Sequence, residues 1–292
     1  MWNKNKNKKN LYGIIFIILP VILIATFSFW PMIQSLFLSF KTGKGIVLTN
    51  GGLVNYKRLF RDPVFIKALK NTFTFLIIQV PIMTILALIF ATLLNDSELK
   101  GKGIFRVCIF LPCVTSLIAC SVLFKSLFSM DGLINIILLN LNIISEPIKW
   151  LLDGVWAKIT IMIVLTWRWT GYDMIFYIAA MQNIDKSVYE AARLDGASKF
   201  KQFFHITIPL LKPILVLTTI MSTNGTLQLF DEVASLTNGG PNNATMTISK
   251  YIYDLSFKYS PNFPYAATVS YAILFFVALL SFIQLRVTRE RD

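Results

Sequence analysis

The sequence predicts an all-α membrane protein with six transmembrane helices. Three observations predict it. Hydrophobic residues make up 55% of the 292 positions and charged residues only 15%, against about 45–50% and about 25% in ordinary soluble domains. Six apolar runs approach or exceed the roughly 20 residues that cross a hydrocarbon core. The charges collect between those runs, in short segments.

The elements follow in order. Residues 1–10 form a basic start carrying Lys4, Lys6, Lys8 and Lys9. The run Leu11 to Phe40, with Pro20 and Pro31 inside it, is too long for a signal-peptide core and shows no small-residue cleavage site. It is read as an uncleaved first helix. An outer segment, Thr42 to Lys70, contains "NYKRLFRDPVFIKALKNT", whose Leu59, Phe60, Val64 and Phe65 among bases suit an amphipathic helix at the interface. Asn71 to Leu94 is the second span and Val107 to Phe124 the third. An inner segment, Asn95 to Arg106, joins them. After the outer stretch Ser129 to Val155 comes the fourth span, about Trp156 to Gln182, interrupted by Lys158, Arg168 and Asp173. An inner loop, 183–209, leads to the fifth span, Ile214 to Phe230. The outer stretch of about Leu236 to Asn262 precedes the sixth, Tyr265 to Leu285. A basic tail, 286–292, follows. No repeat or polar linker divides residues 11–285, so they form one transmembrane domain.

An even span count puts both termini on one side. Both are basic, with Arg286, Arg289 and Arg291 at the end, so the positive-inside rule makes that side cytoplasmic. The seven basic residues between Lys41 and Lys70 run against the rule without reversing it. The expected location is a membrane crossed many times, with both termini cytoplasmic.

The formal net charge of +13 suits anionic lipid headgroups, and nucleic acid is not expected as a partner. Cys108, Cys113 and Cys120 share one apolar run, in no zinc or redox spacing, and read as buried small hydrophobes. His205 is the single histidine. No metal site is expected, and no phosphate-binding loop or hydrolase signature is present.

The loop before the fifth span is unusual in its detail. Ser187 and Glu190 have capping-box spacing, which predicts a helix starting near Val188. Val188, Ala191, Ala192 and Asp195 then share one mostly small face. Gly196 supplies a stop. Ser198 can cap a second helix, with Phe200, Phe203 and Phe204 on one side, before Pro209 opens the span. An interfacial linker would explain the amphipathicity but not this order of residues.

That order resembles a known motif. Glu190-Ala191-Ala192, three residues, Gly196, nine residues, then Ile206-Thr207-Ile208-Pro209 looks like the EAA motif of ABC-importer permeases, with Ile208 where leucine is usual. "WRWTGYDMIFYIAAMQNI" and "FDEVASLTNGGP" resemble the sugar-type, maltose-like branch of that family. The resemblance implies that the loop is a cytoplasmic coupling helix between the fourth and fifth helices, docking on a separate ATPase subunit dimer. Glu190, Ala191, Ala192, Asp195, Gly196, Ile206 and Pro209 would carry that contact. Glu190 would face a basic ATPase residue, cap its own helix, or both. The other implied partners are a second homologous permease, an extracellular substrate-binding protein facing Thr237 to Pro241, and a sugar. The chain would be no enzyme and hold no cofactor, ATP and Mg being used by the ATPase. The resemblance also implies that the membrane is the cytoplasmic membrane of a bacterium.

Polar residues inside a span usually face the bundle interior or a cavity. Trp169, Tyr172 and Asp173 in the fourth span, and Ser222, Gly225, Thr226, Gln228 and Asp231 in and after the fifth, are therefore candidates for the substrate pathway. Aromatic rings beside hydroxyls and amides suit a sugar. The family's maltose-type members add Gly171 and again favour Tyr172, Ser222, Gly225 and Thr226. Interhelical polar contacts are the plainer explanation for any one of them. A stand-alone secondary transporter or channel is the alternative function. It calls for repeat symmetry, which is not seen, and it leaves the EAA loop unexplained.

Overall fold

The computed structural model describes residues 16–289 except 46, 97 and 259. The expectations for residues 1–15, and those for the side chains of Arg289 and Arg291, lie outside what it describes. The chain divides into two compact units, Met1–Asp62 with Ile252–Ala272, and Pro63–Tyr251 with Ile273–Asp292.

In the first unit, α1 (Phe16–Ser39) is one apolar helix of 24 residues. It widens into a π turn at Ala25–Phe29, where the Trp30 amide donates to Ala25 O. Pro31 follows. Proline cannot donate, and its ring collides with the carbonyl four residues back. A locally wider turn absorbs that mismatch. The outer segment then departs from the all-helical expectation. β1 (Lys41–Lys44) pairs antiparallel with β2 (Val47–Asn50), Lys41 opposite Asn50 and Lys44 opposite Val47. Thr42, Val47 and Thr49 favour extended backbone, and Gly45 turns the chain at φ +61°. Next, α2 (Val54–Leu59) is pinned by Asn55, whose amide donates to Ser39 O at 3.1 Å and Lys41 O at 2.7 Å.

The second unit begins with α3 (Pro63–Asn95), 33 residues. It starts eight residues before the predicted span, with Pro63 at the first helical position, which proline tolerates. The basic outer segment is thus split between α2 and the first turns of α3, and does not form one interfacial helix. The third span is also corrected. α4 (Lys102–Val114) and α5 (Leu117–Leu127) meet at 99°. Thr115 leaves the helix at ψ 152° and its hydroxyl donates to Pro112 O at 2.7 Å. The short α6 (Leu133–Asn140) follows, and then α7 (Gly154–Gln182), 29 residues. At 1.5 Å per residue α7 is about 44 Å long, enough to span despite its three charges.

After α8 (Lys186–Leu194), α9 (Lys199–Leu227) runs unbroken for 29 residues. The second helix expected in the loop is therefore the start of the fifth span. A π turn at Phe203–Thr207, closed by the Ile208 amide on Phe203 O, carries the helix past Pro209. This repeats the device before Pro31. Short α10 (Asp231–Leu236) and α11 (Ile248–Tyr253) precede α12 (Phe263–Arg289). Among the described residues four helices are long and apolar enough to cross a membrane, and five if the bent pair α4–α5 is one span. α7 is long enough but carries Lys158, Arg168 and Asp173, and it stands outside that count.

Two buried clusters hold this unit: one around Phe75, Phe124, Trp150, Ile161 and Val233, the other along the seam between α3 and α7. Ala87 and Ala91 are fully buried against Met174, Tyr177, Ile178 and Met181. Small residues let the backbones approach, which is how helices gain contact without water to drive them.

Candidate functional site

The loop 183–209 begins with a cap that the sequence reading placed two residues late. Asp185, not Ser187, is the N-cap, its carboxylate accepting from the Ser187 amide at 3.0 Å. That backbone hydrogen bond holds the Asp185 carboxyl below the usual carboxylate range. Ser187 lies already within α8, so its capping box with Glu190 does not form. The far end of α8 is closed as expected. Gly196 has φ +74°. Its amide donates to Arg193 O at 3.0 Å, and Ala197 N donates to Ala192 O at 2.9 Å. These two bonds define a Schellman turn, which needs a left-handed residue at the glycine position. Ser198 Oγ then accepts from the Lys201 amide at 3.3 Å.

No residue of α8 is buried. Glu190, Ala191 and Asp195 are exposed and Ala192 half-buried, while Leu194 and Phe200 stand 90% and 73% exposed. The loop is nonetheless fixed to its surroundings. Tyr189 OH meets Thr207 Oγ1 at 3.0 Å, and Gln202 donates to Ala197 O at 2.8 Å. Lys199 pairs with Asp96, between α3 and α4, at 3.7 Å. Ile206 and Pro209 sit on α9, away from the α8 surface in sequence, with Pro209 exposed.

A second site lies between the helices. A cavity of about 420 Å³ is walled by α3, α5, α7, α9 and the stretch from Gln228 to Glu232. Trp169, Tyr172 and Asp173 come from α7, and Ser222, Gly225 and Thr226 from α9. Gln228 and Asp231 line it as well. Eight of the nine predicted pathway residues are thus brought together. Gly171 is not. A Cβ there would stand 2.0 Å from Ile109 O and 2.9 Å from Phe110 Cα, so this glycine lets α4 lie directly against α7.

Hydrogen bonds lace the wall. Ser222 Oγ donates to Asp173 Oδ2 at 3.3 Å, and one turn along, Tyr177 OH meets Thr218 Oγ1 at 2.8 Å. The partner numbers rise by four on α7 and fall by four on α9, as antiparallel helices require. Trp169 Nε1 donates to Glu232 Oε1 at 3.3 Å, and Arg168 Nε lies 3.9 Å from the same oxygen. Gln79, Met83 and Glu232 also line the cavity. The sequence reading missed these three. A buried amide within an apolar run was the available signal for Gln79, which is 1% exposed. Nothing local marks Met83 or Glu232.

The loop after α10 is firmly fastened. Asn238 and Gly239 take left-handed backbone, and Gly240-Pro241 is cis. Asn71 donates to Asn243 O at 3.0 Å and Met246 O at 2.9 Å, and Lys67 Nζ to Asn242 O at 2.7 Å. Among the described residues no three His, Cys, Asp or Glu side chains gather as a metal site.

Comparison with known proteins gives these features a context. The chain is 54% identical over 259 residues to the lactose transport system permease protein LacF of Rhizobium radiobacter, covering 88% of this chain and 87% of that protein. It is 35% identical to the arabinooligosaccharides transport system permease protein AraP of Halalkalibacterium halodurans, over 81% of this chain and 77% of AraP. Its fold matches a chain in the crystal structure of a bacterial ABC transporter involved in the import of the acidic polysaccharide alginate. That match has a TM-score of 0.83 at 23% identity, covering 99% of this chain and 98% of the other. Residues 73–290 match the family described as binding-protein-dependent transport system inner membrane component. The exposed, capped loop before the fifth span and the polar cavity inside the helices therefore sit in a chain that belongs to the inner-membrane permeases of binding-protein-dependent ABC transport systems.

Proposed function

We propose that this chain is one of two non-identical permeases that together form an inward path for a sugar or oligosaccharide. The observation that carries the reading is α8. It is capped at both ends, has no buried residue, and holds Val188, Ala191 and Leu194 exposed. A rigid surface of that kind suits docking to a separate ATPase. An ATPase dimer presents two equivalent clefts, so a closed assembly takes two permease chains. The chain itself performs no catalysis and holds no cofactor, with ATP and Mg bound by the ATPase. Both termini are cytoplasmic in this reading, in a bacterial cytoplasmic membrane. The fastened loop Thr237 to Pro241 then faces an external binding protein.

The sugar assignment rests on the relatives named for lactose and arabinooligosaccharides and on the cavity lining. Trp169 and Tyr172 offer ring faces to sugar C–H groups, while Asp173, Ser222 and Gln228 offer acceptors and donors to hydroxyls. The test is uptake by the complete transporter in vesicles. Tyr172→Ala and Thr226→Leu should lower uptake while the complex still assembles. Normal uptake in both would make these residues packing and not pathway.

A further inference from the structure

Resting on that pathway reading, we propose that the cavity sorts sugars by charge: it admits neutral sugars and turns sugar acids away. Four charged side chains line it, Arg168, Asp173, Asp231 and Glu232. Arg168 and Glu232 form an ion pair at 3.9 Å, and Glu232 also accepts from Trp169. These two charges offset each other. Arg168 Nε and Nη1 are buried without a hydrogen-bond partner, and Arg168 balances Glu232 without offsetting the two remaining carboxylates.

Asp173 and Asp231 remain. Among the described residues neither has a Lys or Arg partner at ion-pair distance. Asp173 is 2% exposed and accepts from Ser222, whereas Asp231 is an exposed residue of the lining. Charges act more strongly within low-dielectric walls than in water, and a cleft lined by one sign focuses its field on the entering solute. The same carboxylates serve a neutral sugar well. Ionised carboxylates only accept hydrogen bonds, and hydroxyls donate to them in the stronger, charge-assisted form. One pair of aspartates therefore favours hydroxyls and opposes carboxylates.

Gly225 provides the probe. It lines the cavity, and nothing lies within 4 Å of a Cβ placed there. The experiment uses the complete transporter in nanodiscs. Cys108, Cys113 and Cys120 are first replaced by serine or alanine, and Gly225→Cys is added. Modification rates are measured with a cationic (trimethylammonium) and an anionic (sulfonate) methanethiosulfonate. The cation-to-anion rate ratio should exceed that of free 2-mercaptoethanol by about tenfold or more. Asp173→Asn with Asp231→Asn should bring it back to within about twofold. If the double variant fails to assemble, Asp231→Asn alone, at an exposed position, should lower the ratio part of the way. A Gly225→Cys ratio equal to that of 2-mercaptoethanol, no reaction with either reagent, or indifference to the asparagine variants overturns the proposal. A second arm adds lactose, maltose or galactobiose, and separately digalacturonate, during modification. Neutral disaccharides should slow it and digalacturonate should not. Protection by digalacturonate overturns the charge sorting, whereas protection by no sugar overturns the pathway reading itself.

Discussion

Replacing two glycines of the same unit by alanine should have opposite effects. At Gly171 the new Cβ would lie 2.0 Å from Ile109 O and 2.7 Å from Ile109 C. Non-bonded carbon atoms meet at about 3.5–4.0 Å, so α4 and α7 must part by about 1 Å or more. The obstacle is backbone, which cannot rotate out of the way. Overpacking of this kind costs about 1–3 kcal/mol, and the first one or two of these already shift an unfolding equilibrium by about 5–30-fold. At Gly225 the added methyl meets nothing within 4 Å. There the change removes a glycine from the interior of α9, a gain of up to about 1 kcal/mol in helix propensity. The assay is denaturation of the purified transporter in detergent, followed by tryptophan fluorescence. Gly171→Ala should unfold at clearly lower denaturant, and Gly225→Ala at the same or higher. Wild-type stability of Gly171→Ala, or an equal loss in Gly225→Ala, would refute the assignment of one glycine to helix contact and the other to open space.

Other outcomes follow from the same geometry. On a background without native cysteines, a cysteine at Asn242 should be labelled from outside and one at Lys199 only from inside, and labelling of both from one side would sink the topology. Ala192→Asp places a charge on the small face of α8, and Gly196→Val puts a β-branched residue at φ +74°, a strain of about 1–3 kcal/mol. Both should release the ATPase or abolish its stimulation while the two permeases stay together. Full stimulated hydrolysis in both variants would return the loop to a plain linker. Mass measurement of the intact complex should find one copy of this chain beside a second, similar permease, and two copies with no other permease would refute the heterodimer.

Much of this was readable because it is local. A left-handed glycine after a helix of small residues, and a serine before the next, are written in adjacent positions, so the turn at Gly196 and the cap at Ser198 could be read directly. The N-cap was read at Ser187 and lies at Asp185, since either residue type can accept from an amide two or three places on. Proline misled in both directions. Pro209 suggested a helix start, yet a π turn beforehand carries α9 through it, and Pro112 gave no warning of the 99° bend that follows at Thr115 and Ser116. Hydropathy took the third span as one rod because it measures composition and is blind to direction. The cavity was half legible. Polar residues inside the fourth and fifth spans marked two walls, but Gln79 and Met83 arrive from a helix some ninety positions earlier, and only tertiary packing brings them there. Gly171 carries the opposite lesson. A glycine beside a tyrosine looks like pathway, and it is a contact point between backbones.

The continuity of α9 has a mechanical consequence. Its first turn belongs to the loop and its last turns belong to the cavity wall, with no linker between. Its weakened section, the π turn at Phe203–Thr207 with Pro209 and Pro213 just beyond, lies close to the loop end. From Ile214 to Leu227 the helix has no further interruption and is about 21 Å long. It is a lever arm whose fulcrum is set near the force. A swing of about 10° at that joint sweeps the tip at Leu227 through about 4 Å, and Ser222, Gly225 and Thr226 through about 2–3 Å. A push on the loop would thereby reach the chamber as displacement of one wall, through the helix itself.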